Sequence, residues 1–194
     1  MQVIKHSLIK SPLVKSALLT LLAGVTLYAA AVPLKIDQAH SSVSAAFTQM
    51  DVPVESKFTR FTAQVDYDAA HPDKTSARVD IDTASLDIGS AEYNKEIAKP
   101  IWFDSAKFPK ATFVSTSVKP GPGGKLTVTG KLTIKGKTAN VAFPASVNND
   151  AGKQVFEGQL PIKRLAFDIG TGEWKDTSLV ADDVVIKFRI VAGQ

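Results

Sequence analysis

The sequence predicts an all-β protein with one short helix: period two alone allows an antiparallel sandwich or barrel, and the aromatic content favours an antiparallel β-barrel of about eight strands. Three observations carry this. Apolar and polar residues alternate with period two over most of the chain after residue 31. Turn signals rich in Gly, Pro and Asn separate the alternating runs at short intervals. Ten Phe, two Trp and three Tyr lie almost entirely in this region and favour a lined interior. Closing the sheet would also remove sticky edges from a chain so rich in strand-forming residues.

The elements follow in order. Phe61–Tyr67 and Ala77–Asp82 alternate strictly, as do Leu126–Thr129 and the last run, Val184–Val191. In that last run Ile186, Phe188 and Ile190 interleave with Lys187 and Arg189. Alternation turns one face to a core and the other to water. Turns are expected at Asp68–Asp73, Pro120–Gly124 and Asn148–Gly152. Lys135-Gly136-Lys137 reads as a tight hairpin, because Gly supplies the positive φ such turns need. Ser90 could cap a turn or two of helix through Ala98, stopped by Pro100.

The first 31 residues read as a cleaved signal peptide. Lys5, Lys10 and Lys15 give a basic start without acids. An apolar run of about 15 residues follows, shorter than the roughly 20 of a membrane-spanning helix. It ends in Ala29-Ala30-Ala31, which fits the small-x-small cleavage rule. No cysteine follows, which excludes a lipoprotein anchor. Residues 32–194 form the expected mature domain, with no stable membrane anchor after cleavage and a periplasmic or secreted location. Losing the leader's three lysines takes the net charge from +4 to +1. A near-neutral domain gives no support for nucleic-acid binding. With no cysteine in the chain, thiol catalysis, disulfides and thiolate metal sites are out. Oligomeric state is open, a homodimer included.

The segment Ile101–Ser115 packs Trp102, Phe103, Phe108 and Phe113 together without histidine or paired acids. Such a segment grips apolar matter. Candidate wall residues are Phe47, Met50, Phe58, Phe61, Trp102, Phe103, Phe108, Phe113, Phe143, Phe167 and Phe188. Any one of them could equally fill a closed core. A polar head group would want donors at the mouth. Gln49, Arg60, Lys163, Arg164 and Trp174 are the candidates, with Arg60 more readily placed on the surface. Enzyme readings fare poorly. After the leader only His40 and His71 remain, no Gly-x-Ser-x-Gly elbow occurs, and Asp80 and Asp82 share one strand face that reads as solvated. No catalytic or metal-binding residue and no cofactor is assigned.

Six segments in order resemble motifs of the YceI family of bacterial secreted lipid-binding proteins. Asp37-Gln38-Ala39-His40-Ser41 resembles its Asp-x-x-His-Ser opening, and Lys57–Phe61 its Phe-x-x-Phe strand, with Ser56 where glycine is usual. Asp82–Gly89 and Trp102–Ser115 resemble its next two motifs, the latter through Phe-Asp-x-x-x-Phe-Pro-x-x-x-Phe-x-Ser. Gly130–Thr138 resembles the Gly-x-Leu-Thr-Ile-x-Gly-x-Thr hairpin. Arg164–Asp168 resembles Arg-x-x-Phe-Gly, with Asp168 in place of glycine. Gln49 stands where many members have histidine. The resemblance implies a lipocalin-like barrel in the periplasm that holds a lipophilic small molecule, a polyisoprenoid, in an apolar tunnel. Alternatives are a scavenger of other lipophilic compounds, antibiotics included, and a structural or stress-related module with a filled barrel.

Overall fold

The computed structural model describes residues 34–193. The expected signal peptide lies outside these residues. One antiparallel sheet contains β1 (Lys35–Ile36), β2 (Ser42–Gln49), β3 (Val52–Phe58), β4 (Phe61–Asp66), β5 (Ser76–Asp82), β6 (Leu86–Asp87), β7 (Lys110–Pro120), β8 (Leu126–Ile134), β9 (Lys137–Asp150), β10 (Lys153–Lys163) and β11 (Asp183–Gly193). Its order is β4-β5-β7-β8-β9-β10-β11-β2-β3-β6, with β1 paired to β11.

The two ends of this order belong to one piece of chain. Only Thr59 and Arg60 separate β3, which pairs with β2, from β4, which pairs with β5. The bent β3–β4 strand thus curls the sheet into a barrel. At the bend Thr59 N–H donates to Ser85 O (3.0 Å) and Asp82 N–H to Arg60 O (3.1 Å). Set aside β1 and β6, of two residues each, and count the bent strand once: eight long strands remain.

Period-two patterning builds the wall. In β8, Leu126, Val128, Gly130, Leu132 and Ile134 are buried while the intervening residues are more exposed. Burying one such aliphatic side chain contributes roughly 1.5–3 kcal/mol. Three hairpins close on two-residue turns with both φ values positive: Met50-Asp51, Lys135-Gly136 and Ala151-Gly152. This is the turn whose twist suits antiparallel strands. The second is the expected hairpin. The third is tighter than its sequence suggests, because β9 continues through Asp150. The first carries no glycine and left no sequence signal.

The helix α1 (Ala91–Ile97) is present, and Ser90 sits at its N-cap without a side-chain cap bond. Asn94 secures it instead. Its Oδ1 accepts from Ile88 N–H (2.9 Å) and its Nδ2 donates to Asp87 (3.0 Å).

A hollow barrel as candidate functional site

The barrel encloses a cavity of about 630 Å³, within the range of roughly 300–1,000 Å³ typical of small-molecule sites. The interior is therefore hollow, not filled by side chains. The cavity runs the length of the barrel. One end is walled by Val65, Thr75, Val118, Leu126 and Phe156. The other lies under the segment 100–103, the segment 164–180 and α1. Tyr93, Glu96 and Glu173 are the exposed residues of its wall and so mark the mouth.

A belt of aromatic rings crosses the middle. Phe113 of β7, Phe143 of β9 and Phe188 of β11 form a row with centroid spacings of 5.5 and 5.7 Å. The intervening strands supply glycine. A Cβ on Gly130 would lie 2.5 Å from the Phe113 ring, and one on Gly158 2.5 Å from Phe188. Rings on alternate strands thus lie over bare backbone on their neighbours, which keeps them against the wall. Tilted rings at these spacings also attract one another.

The mouth carries both tryptophans of the chain. Trp102 and Trp174 pack with centroids 5.3 Å apart, and Trp102 lies over Gly170, where a Cβ would come within 2.8 Å of the ring. Arg164 holds the loop beneath them. It is 3% exposed, and its guanidinium donates five hydrogen bonds to carbonyl oxygens. Nε reaches Ala181 (3.0 Å), Nη1 reaches Ile169 (2.8 Å) and Gly170 (3.0 Å), and Nη2 reaches Trp174 and Val180 (2.6 Å each). A guanidinium has five N–H donors, and all are engaged. Burial pushes this group below its usual pKa, against the pull of nearby Asp182. Lys135 acts similarly. Its Nζ donates to Pro100 O (2.6 Å) and Asp168 O (2.8 Å), and burial lowers its pKa.

Of the residues expected at the site, Phe47, Gln49, Phe58, Trp102, Phe103, Phe113, Phe143, Arg164, Trp174 and Phe188 border the cavity. Four do not. Met50 is 63% exposed because it forms the β2–β3 turn. Phe61 packs half-buried into the apolar cluster at the barrel bend. Phe108 lies against Gly136, 2.9 Å from the position of a Cβ there, and so covers the outside of a hairpin. Phe167 is 3% exposed inside the closed packing. Arg164 needs a second correction: its donors hold backbone and are not free for a head group. The surface candidates are paired, Arg60 with Asp82 and Lys163 with Asp183. Asp80 is more enclosed than a solvated face, held by Arg78 and Thr112.

Sequence reasoning missed the aliphatic wall and α1. Val79, Ile81 and Ile186 line the cavity, as do Tyr93 and Ile97. The inward positions of β5 and β11 could have been read from their alternation. The glycine positions inside strands were a further signal, since an isolated strand glycine often marks close approach.

An antiparallel barrel wrapped around one long apolar cavity is a lipocalin-like architecture. Within that class the chain belongs to the YceI-like family, whose domain pattern matches residues 34–192. A UPF0312 protein of Shewanella sp. (strain W3-18-1) is 35% identical over 154 residues, 76% of this chain and 77% of that one. The crystal structure of Burkholderia cenocepacia BcnA superposes with a TM-score of 0.79 at 52% identity, covering 81% of this chain and 99% of its own. A domain of Saccharophagus degradans described as polyisoprenoid binding shares the fold, with a TM-score of 0.62 at 15% identity, covering 83% and 97%.

Proposed function

We propose that this protein binds a lipophilic, isoprenoid-type molecule by reversible burial in its barrel and carries or sequesters it in the periplasm, changing no bonds. The cavity of about 630 Å³ with its almost wholly apolar wall supports this reading. Burying about 300 Å² of an apolar tail contributes roughly 7 kcal/mol before association costs. That the Saccharophagus degradans domain is described as polyisoprenoid binding supports the ligand class. A role without chemistry is supported by the histidines. His40 pairs with Asp37 and His71 with Asp68 on the surface, away from the cavity.

A broader clientele of lipophilic compounds, antibiotics included, is the second reading. The scarcity of polar groups facing the cavity favours it. Native mass spectrometry of the protein exported by its own leader, followed by extraction, tests both. A retained isoprenoid is the expected result. A mass that stays apo after incubation with prenyl lipids would overturn the proposal. Phe113→Asp should abolish retention in a folded protein.

A further inference from the structure

We propose that the mouth end of the barrel docks reversibly on a zwitterionic lipid bilayer, so that a guest passes between membrane and cavity without crossing water; this rests on the reading of the barrel as a lipid carrier. Among the described residues four large apolar side chains are strongly exposed: Met50 (63%), Tyr93 (62%), Val52 (60%) and Val114 (37%). The first three lie at the mouth. Met50 and Val52 belong to the tip of the β2–β3 hairpin. The loop before β11 fixes that tip at the mouth: Met50 N–H donates to Leu179 O (3.0 Å), and Ala181 N–H to Thr48 O (2.9 Å). Tyr93 stands on α1 and borders the opening. Val114 is elsewhere, on β7 between Arg78 and Lys131 of the neighbouring strands.

Met50 carries a second signal. It and Asp51 both take positive φ, 46° and 63°. Asn and Gly suit such a turn, and turn chemistry gives no reason for Met. A strained backbone kept under an exposed apolar side chain points to a use for that side chain. The opening supplies the choice of partner. It leads into an almost wholly apolar cavity, and a guest suited to that wall resides in a bilayer when outside it. A rim set into the interface joins the two apolar phases. Charge does not drive the contact. On and beside α1, Glu92 and Glu96 offset Lys95 and Lys99, and on the turn 172–176 Glu173 and Asp176 outnumber Lys175. Attraction to the membrane is therefore through buried apolar area, not through anionic lipid.

Flotation of the full mature protein with phosphatidylcholine vesicles tests this. The protein should float with them at low and high salt alike, and no more tightly when phosphatidylglycerol is added. Met50→Asn combined with Val52→Thr should be no less stable in urea, because both new residues suit their places. This variant should still retain geranylgeraniol in native mass spectrometry, yet bind vesicles at least about tenfold more weakly. Val114→Thr should bind vesicles as the unaltered protein does. Release of geranylgeraniol into vesicles, followed by tryptophan emission, should quicken as vesicle concentration rises, as transfer by collision requires. A geranylgeraniol-loaded protein that does not float, with release independent of vesicle concentration, would overturn the docking while leaving the carrier reading intact. Binding confined to anionic vesicles and abolished by salt would overturn the apolar interface. A dimer in solution that the double substitution dissolves would assign the rim to a second copy and overturn the proposal. Failure of the unaltered protein to retain geranylgeraniol would overturn the carrier reading, and this inference with it.

Discussion

The wall and the mouth of this barrel are held by different physics. Along β7 to β11 the chain is kept in place by strand pairing and by inward apolar side chains, which alternate strictly in β8. At the mouth the backbone has few strand partners. There, two cations, the buried Arg164 and the half-buried Lys135, donate to loop carbonyls: Arg164 for the segment 164–181, Lys135 for Pro100 and Asp168. Many weak, interchangeable contacts maintain the wall. A handful of charge-assisted bonds, beside backbone bonds such as Gly170 N–H to Ile101 O, maintains the mouth.

The largest expected effect lies at the mouth. Arg164→Leu leaves five carbonyls without their donors and should cost about 3–5 kcal/mol in urea unfolding. Hydrogen exchange should rise in 164–181 while β8 and β9 stay protected; a uniform rise would break the comparison. Next comes the wall. Gly158→Val puts a side chain where Phe188 and Pro144 O already stand. It should cost about 1–3 kcal/mol by overpacking and push the Phe188 ring into the cavity, weakening retention of an apolar probe.

A third change has the opposite sign. Ser56 is 1% exposed and its Oγ has no hydrogen-bond partner among the described residues. Removing a buried unpaired hydroxyl gains back part of its desolvation cost. Ser56→Ala should raise stability by up to about 1 kcal/mol, measured by the shift in urea midpoint. The smallest effect concerns Asp80. Its hydrogen bond from Arg78, aided by Thr112, holds its carboxyl below the usual carboxylate range. The stabilisation is therefore present above the unfolded value near about 4 and fades as pH falls through the lower folded value. Asp80→Asn should flatten the acid limb of the stability profile, by less than about 1 kcal/mol.

The same contrast decides what the residues disclose. The strands were legible because alternation is a local pattern, and so was the Lys135-Gly136 hairpin. The belt was half legible. Phe113, Phe143 and Phe188 stood out, but the glycines beneath them resemble turn residues until strand register is known. Arg164 stands out for its charge, which suits a ligand contact or a buried structural role, and nothing local shows that five carbonyls converge on it. Phe108 and Phe167 look like wall residues by type, and only the tertiary path turns them away. Asp168 shows the reverse case. It occupies a left-handed conformation (φ 54°), which explains why glycine suits that place and why Asp, a residue that tolerates αL, can replace it.

The seam between β11 and β2 has a further consequence. Strands β7 to β11 are successive hairpins, whereas Val43 meets Phe188 across nearly the whole sequence. Local hairpins close quickly, and distant strands pair late because loop closure costs entropy first. The hollow does not exist until that last pairing forms. A chain truncated before β11 therefore has an open wall, its apolar inner face bare to water and the edges of β10 and β2 unpaired. Such a fragment has nothing to enclose a guest and every reason to aggregate.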